Sequence, residues 1–492
     1  MFDVGLPGPE SLDAVGDNLL LAAITGWASV EAAAGARRLA AIAELVARRT
    51  QGPAQDRSRW ACDNWDAAAA EVAAAEHISH GMASGQMYLA SALRERLPRV
   101  GGLLADGVIS VRLAATICWH TTLITDPQVL ALVDAELAAL ATALGPLSAA
   151  KTATAIDTLI DRHDPAAVRR ASTSARGREV VIDTANSESG VTGLWGRLFA
   201  VDAAALDQRL EQLARSVCDD DPRTLAQRRA DALGALAAGA GTLACACGTQ
   251  DCSAAAGTDA RATQVVVHVV TEQAAHEPEP KATASRRATT TSGHIIGGGS
   301  VPAPLLGDLI RGGATVISLG HHAEAETGYR PSARLAAFIR ARDMTCRFPG
   351  CDRPATVCDV DHAIAYPYGP THPANLRCLC RKHHLLKTFW TGSGGWSDRQ
   401  HSDGSIEWIS PTGHTYLTRP ASQLLFPALC RPNPPPRAPA AVSSPPTGRG
   451  VMMPTRKRTR EQDRVRRISA ERALNADYAA HVIAERNQPP PF

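Results

Sequence analysis

Aromatic residues are scarce in this 492-residue chain, at 4% of the sequence, and neither sign of charge dominates: 51 Lys and Arg stand against 49 Asp and Glu, a formal net charge of +2. Few aromatics beside abundant alanine favour helices that pack through small side chains. A charge this close to balance does not demand a nucleic-acid partner, so any basic surface has to be local. The first thirty residues lack the basic start and the cleavage site of a secretory signal. Their apolar run is broken at Gly26, Trp27 and Ser29, short of the roughly 20 apolar residues that a membrane span needs. The expectation is a soluble, cytoplasmic protein with no membrane partner. The 12 cysteines, several at metal-ligand spacings, suit a reducing compartment.

The length is that of about three domains. From Asp17 to Ala175 apolar residues recur at three and four, as in VEAAAGARRLAAIAELVARR, with Pro98, Gly101, Gly102, Gly107, Pro127 and Pro146 at helix-end intervals. This predicts a bundle of six to eight helices. Arg37, Arg38, Arg48 and Arg49 on its faces read as solvated charges. After Arg176 the pattern mixes: REVVID reads as a strand, SGVTGLWGRLF as a glycine-punctuated turn region, VDAAALDQRLEQLARSV and RTLAQRRADALGAL as helices, QVVVHVV and ATVISL as strands. Asp221, Arg223 and Arg229 read as ordinary charges at helix starts and faces. Residues 273 to 293 read as a flexible excursion. The fold class is α+β, divided into a helical region 1–175, a mixed continuation 176–325, a compact region 330–425, and a disordered Pro-rich linker with a basic tail over 426–492. That tail, rich in Arg and Lys and then helix-prone, reads either as a nucleic-acid arm or as a solvated helix.

The densest group of metal-binding and proton-moving side chains, five of the 12 cysteines and four of the 16 histidines, falls between Cys346 and Phe389. Cys346 with Cys351, and Cys380 with His383, make two spaced pairs that together suit a structural zinc site of three thiolates and one imidazole. Cys358 and Cys378 are alternative thiols for that set, and His384 could exchange roles with His383. Asp361, His362, Asn375 and His384 lie outside the quartet. A carboxylate and an imidazole on one metal leave coordination open for phosphate and water, and a second imidazole can take a proton from that water. Tyr366, Tyr368 and His372 read as loop residues that pack or solvate. Farther back, Cys245, Cys247 and Cys252 cluster; without a clear fourth partner they read as free or paired thiols, or as a second zinc site with His268 as a candidate fourth ligand.

The order Asp361-His362, Asn375, His384 resembles the HNH endonucleases, the ββα-metal nucleases. The resemblance implies that Asp361 and His384 hold a catalytic divalent metal, magnesium or manganese, that His362 is the general base, and that Asn375 steadies the hairpin loop. It implies phosphodiester hydrolysis of DNA, double-stranded in the first instance. Arg340, Arg342, Arg347, Arg381, Lys382 and Lys387 cluster around this motif and are its candidate phosphate contacts. The segments LRERLPRVGGLLADGVIS and DPRTLAQRRADALGAL, followed by the cysteine cluster and the HNH motif, resemble the actinobacterial 13E12 repeat family, in which a long domain of unknown function precedes an HNH nuclease. Two other readings are a zinc-folded DNA-binding module without catalysis and a protein-interaction scaffold whose working part is the helical region. Past the motif, turns at Asp403-Gly404 and Thr412-Gly413 predict a small antiparallel ribbon packed by Trp396 and Trp408.

Overall fold

The structure, a computed structural model, describes residues 6–50, 57–144, 147–168, 178–188, 190–249, 251–254, 262, 265–274, 292–296, 298–321, 324–432 and 452–486. The chain divides into two compact units, residues 1–171 with 451–492, and residues 172–450.

The first unit is a helical bundle: α1 (Asp17–Thr50), α2 (Asn64–Glu76), α3 (His80–Glu95), α4 (Pro98–Ala105), α5 (Val111–His120), α6 (Pro127–Leu144) and α7 (Ala149–His163). Local chemistry sets the starts. The side chains of Asp63, Ser79, Ser110 and Ser148 each accept an otherwise unsatisfied N–H in the first turn that follows. Pro98 and Pro127 begin α4 and α6, where a missing N–H costs nothing. The core joins Leu39, Ile42 and Val46 of α1 to Val72, Met87, Val100, Ile117, Leu137 and Ile160. In α2, Ala67 to Ala70, Ala73 and Ala74 are all buried, so its neighbours approach across small side chains.

One expectation fails here. Gly26, Trp27 and Ser29 lie inside α1 and do not break it. A glycine in a helix costs only about 1 kcal/mol, which a helix of this length with tertiary contacts absorbs. By length and composition alone α1 is therefore long and apolar enough to cross a membrane, the one such helix among the described residues. Six residues along it, including Leu39, Ile42, Ala43 and Val46, are buried in the bundle.

The second unit begins with a hairpin, β1 (Glu179–Glu188) against β2 (Val191–Arg197). The glycine-punctuated stretch expected as turn is thus a strand. Its glycines permit close pairing: a Cβ at Gly196 would come within 2.5 Å of the Glu179 carbonyl oxygen on the partner strand. Next come α8 (Ala200–Ala214) and α9 (Leu225–Ala237), the latter begun by a reciprocal Thr224 and Gln227 capping box. Strand β3 (Val266–Ala274) pairs in parallel with β6 (Thr315–His321). Between them in sequence come the short pair β4 (Gly293–His294) and β5 (Ser300–Val301) and the helix α10 (Ala303–Arg311). Most of the flexible excursion expected over 273–293 lies outside the described residues, from 275 to 291.

Helix α11 (Ala333–Asp343), capped by Ser332, leads into the motif. There β7 (Cys358–His362) and β8 (Leu376–Cys380) form an antiparallel hairpin, followed at once by α12 (Arg381–Phe389). The ribbon is a three-stranded meander, β9 (Ser397–Gln400), β10 (Ile406–Ile409) and β11 (Thr415–Thr418), with Trp396 and Trp408 buried. A short helix, α13 (Ser422–Leu425), closes the unit.

The tail needs correction. The Pro-rich linker from 433 to 451 lies outside the described residues, but beyond it α14 (Arg460–Arg486) belongs to the first unit. The Asp63 carboxylate meets Arg456 and Arg460, Asp66 meets Arg460 at 3.0 Å, and Asp164 meets Arg472 at 2.7 Å. Asn475 is buried and donates to the carbonyls of Ala166 and Val168. The expected disordered basic arm is therefore, over these residues, a docked helix whose arginines neutralise buried carboxylates of the bundle.

Candidate functional site

Four side chains meet behind the β7–β8 hairpin: Cys346, Cys351, Cys380 and His383 bring their ligand atoms within 4.8 Å of one another. His383 Nδ1 lies 3.5 Å from Cys346 Sγ and 3.4 Å from Cys380 Sγ. With Zn–S near ~2.3 Å and Zn–N near ~2.0 Å, tetrahedral ligands stand about 3.5 Å apart, so the donor set fits zinc. Phe348 stacks on His383 at 4.1 Å between centroids, and Trp396 and Trp408 meet Phe348 edge-on, which fixes the imidazole and excludes water. Cys358 instead bonds the Pro354 carbonyl at 3.2 Å, and Cys378 is buried elsewhere on β8; neither belongs to the set.

His384 points the other way, because adjacent helix positions diverge by about 100°. Its Nδ1 is 2.8 Å from Asp359 Oδ2 and its Nε2 3.4 Å from Asp361 Oδ1. A carboxylate only accepts, so the bond to Asp359 puts the proton of the neutral ring on Nδ1 and leaves the Nε2 lone pair facing Asp361. A lone pair opposite a carboxylate oxygen is a pair of donors suited to a cation. The other oxygen of Asp361 is held by Lys387 at 2.6 Å and by Arg377 at 3.4 Å. Burial alone would raise the Asp361 carboxyl, but chiefly the charges of Lys387 and Arg377 outweigh it and hold the group below the usual carboxylate range.

His362 is held by a hydrogen bond and by a stacked ring. Thr371 Oγ1 lies 2.6 Å from the Gly328 carbonyl oxygen, so the hydroxyl proton points there. The same hydroxyl, 2.9 Å from His362 Nε2, must then accept from it. This selects the tautomer with its lone pair on Nδ1. The Tyr329 ring stacks on the imidazole at 5.4 Å. Burial, with the Lys387 charge adding to it, pulls the His362 pKa below its ordinary value against the opposing pull of Asp361, which favours the neutral ring. Asn375 closes the loop: its Oδ1 accepts from Ile364 N–H at 2.8 Å, and its Nδ2 donates to the carbonyls of Ile364 and Pro370, each at 2.9 Å. His372 is buried and accepts from Ala374 N–H, a turn role.

The phosphate contacts expected from sequence separate into two groups. Arg342 and Arg347 are 2% exposed and cannot reach a ligand in solution. Both pair with the fully buried Asp343. Arg342 also donates to the carbonyls of Pro373 and Leu376, and Arg347 to those of Gly404 and Thr418, so they tie α11, β8 and the meander together. Their place in a basic cluster was local sequence coincidence. Lys387 is turned onto Asp361 and the His362 carbonyl and is not a free surface cation. Arg381 is exposed beside Asp359 at 3.3 Å, and Arg340 and Lys382 are half-buried.

Sequence reasoning passed over Asp359, Arg377, Thr371 and Tyr329. Asp359 carried a signal: two residues before Asp361, it shares that strand face. Arg377 stands opposite Asp361 in the hairpin register, legible only once the register is known. Thr371 and Tyr329 carried no local signal, since a long-range backbone bridge between Glu326 and Thr371 brings their segments together.

A second cluster joins Cys218, Cys245, Cys247 and Cys252, again with all ligand atoms within 4.8 Å. The fourth member is Cys218 and not His268, whose Nδ1 is buried without a hydrogen-bond partner. Asp221 and Arg223, read from sequence as ordinary helix charges, form an ion pair beside this cluster with the Asp221 carboxylate buried.

No solved structure matches the chain. The uncharacterized protein Rv2100 of Mycobacterium tuberculosis is 52% identical over all of this chain and 93% of its own length. The uncharacterized protein Rv3776 of the same organism is 53% identical, again over all of this chain and over 95% of its own length. A family model described as a domain of unknown function, DUF222, matches residues 28–343, which end just before Cys346. By that match, over more than half of its length, the chain belongs to the DUF222 family.

Proposed function

We propose that this protein is a metal-dependent endonuclease of the HNH type that hydrolyses DNA phosphodiester bonds. The observation that carries the reading is the meeting of Asp361 and His384 on a hairpin–helix unit, with His362 next to Asp361 at the end of β7 and its Nδ1 lone pair kept available by Thr371. Asp361 and His384 would hold magnesium or manganese, a hard cation that keeps open positions for water and phosphate oxygens. When bound, that cation supplies charge neutralisation at the phosphate and the leaving oxygen. His362 Nδ1 takes the proton of the attacking water, and Asn375 holds the loop that aims it. The domain order, a long domain of unknown function before this unit, agrees with the 13E12 resemblance.

The engagement of Asp361 by Lys387 and Arg377 favours a second reading, a zinc-folded DNA-binding module without catalysis. Cleavage of supercoiled plasmid with magnesium or manganese, run beside His362→Ala with zinc measured on both, separates the two. The nuclease reading expects nicking or linearisation by the parent and a loss of about 10²–10⁴-fold in the variant at unchanged zinc content. DNA binding without cleavage by either protein overturns it in favour of the module.

A further inference from the structure

We propose that Cys218, Cys245, Cys247 and Cys252 form a second structural zinc site, with four thiolate ligands, which staples the α8–α9 helical pair to the loop that follows it. Cys218 lies in the segment between α8 and α9, and the other three come from the CACGTQDC loop after α9, so a single ion would tie together chain segments separated by a whole helix. Cys218 and Cys245 have their sulfurs 3.4 Å apart. That is far beyond the ~2.05 Å of a disulfide and near the separation of two thiolates on one tetrahedral ion. Four thiolates with no oxygen donor select a soft tetrahedral ion, and zinc is the common one.

Three further features point to a built site. The loop is shaped for it: Gly248 has φ +73, the left-handed region open to glycine, and there the chain turns back between Cys247 and Cys252. Cys245 N–H donates to the Ala254 carbonyl and closes the loop across its ends. The loop is also clamped from outside. The Asp221 carboxylate, with its side chain fully buried, accepts from Ala246 N–H at 2.9 Å. Its partner Arg223 donates to the Ala244 carbonyl at 2.7 Å. The clamp therefore grips the backbone on either side of Cys245 and sets the direction of Cys245 and Cys247. Finally, the local core is small: among the described residues it buries Leu213, Val217, Ala232, Ala235 and Leu243, two of them alanines, with Leu210, Leu236 and Ala240 partly buried against them. So small an apolar cluster offers little against the entropy of ordering two helices and a loop, the situation in which a bound metal supplies folding energy.

Metal content of the full-length protein, purified under reducing conditions, tests the assignment. Two zinc ions per chain are expected, one for each cysteine cluster. Cys245→Ser with Cys247→Ser should hold one, and Cys346→Ser with Cys380→Ser should lose the other. Cys252→Ala should also lose one ion, and Cys252→His should restore it, since imidazole can replace a thiolate on zinc. X-ray absorption at the zinc edge of the parent protein guards against variants that fail to fold. It should require more sulfur per zinc than the three-sulfur, one-nitrogen quartet alone supplies. One zinc per chain in the parent, two zinc ions retained in the Cys245→Ser, Cys247→Ser variant, iron in place of zinc, or a metal-free Cys218–Cys245 disulfide would each overturn the proposal.

Discussion

Asp359 decides which nitrogen of His384 is available to a metal. It accepts from Nδ1 at 2.8 Å and so keeps the Nε2 lone pair toward Asp361. Partners of this kind change metal affinity or activity by about 10–100-fold when removed. Asp359→Ala should therefore raise the manganese concentration for half-maximal cleavage by about that factor at unchanged zinc content. A metal titration superimposable on the parent's would remove Asp359 from the site. Lys387 acts on His362 through charge, since its ammonium disfavours the imidazolium form. If the proposed nuclease activity holds, cleavage by the parent should rise as pH increases through the depressed His362 pKa and level off above it. Lys387→Ala relieves that repulsion, so the acidic limb of the pH–rate profile should move to higher pH. A limb that stays in place or moves down would show that Lys387 does not set the base.

At the scale of elements, α2 and α14 depend on the same carboxylate. Asp63 caps α2 through Asp66 N–H and also meets Arg456 and Arg460 ahead of and at the start of α14. A lost cap costs about 1 kcal/mol, and a partly buried pair broken on one side adds to it. Asp63→Ala is therefore expected to destabilise the bundle by about 2–3 kcal/mol in urea unfolding, whereas Arg381→Ala, at an exposed pair, should change stability by less than about 1 kcal/mol. Equal effects would mean that the tail helix contributes nothing to the bundle. The zinc quartet shows a related dependence between elements: its ligands come from the loop after α11, the end of β8 and the first turn of α12, so the ion would hold hairpin and helix together.

For the whole molecule, the division into two units separates what metal removal can reach. Both cysteine clusters lie within residues 172–450, and the bundle with its tail helix holds neither. Stripping zinc with a strong chelator under reducing conditions should unfold the second unit while the helical signal and the thermal transition of the first persist. Loss of both transitions together would deny that independence. The chain also leaves the first unit and returns to it, since residues 451–492 close on the bundle. A protease site placed between 433 and 451 should, after cutting, leave the 452–492 fragment bound through Asp63, Asp66 and Asp164. Release of that fragment in gel filtration would count against the docked helix.

The sequence by itself determined what depends on near neighbours: the helical periodicity of the first unit, the strand pattern of β3 and β6, and the turns of the meander. It also determined the pairing of Cys346 with Cys351 and of Cys380 with His383, because spacing of a few residues already restricts geometry. Tertiary structure alone decided what depends on distant segments. Cys218 joins its cluster across a helix, Thr371 and Gly328 set the tautomer of His362, and Arg342 and Arg347 are taken out of any basic surface by burial on Asp343. Arg456, Arg460 and Arg472 read as a solvated or nucleic-acid-binding run, yet they meet carboxylates about 300 to 400 residues away in sequence. Burial and partner choice are properties of the assembled fold, and local spacing does not carry them.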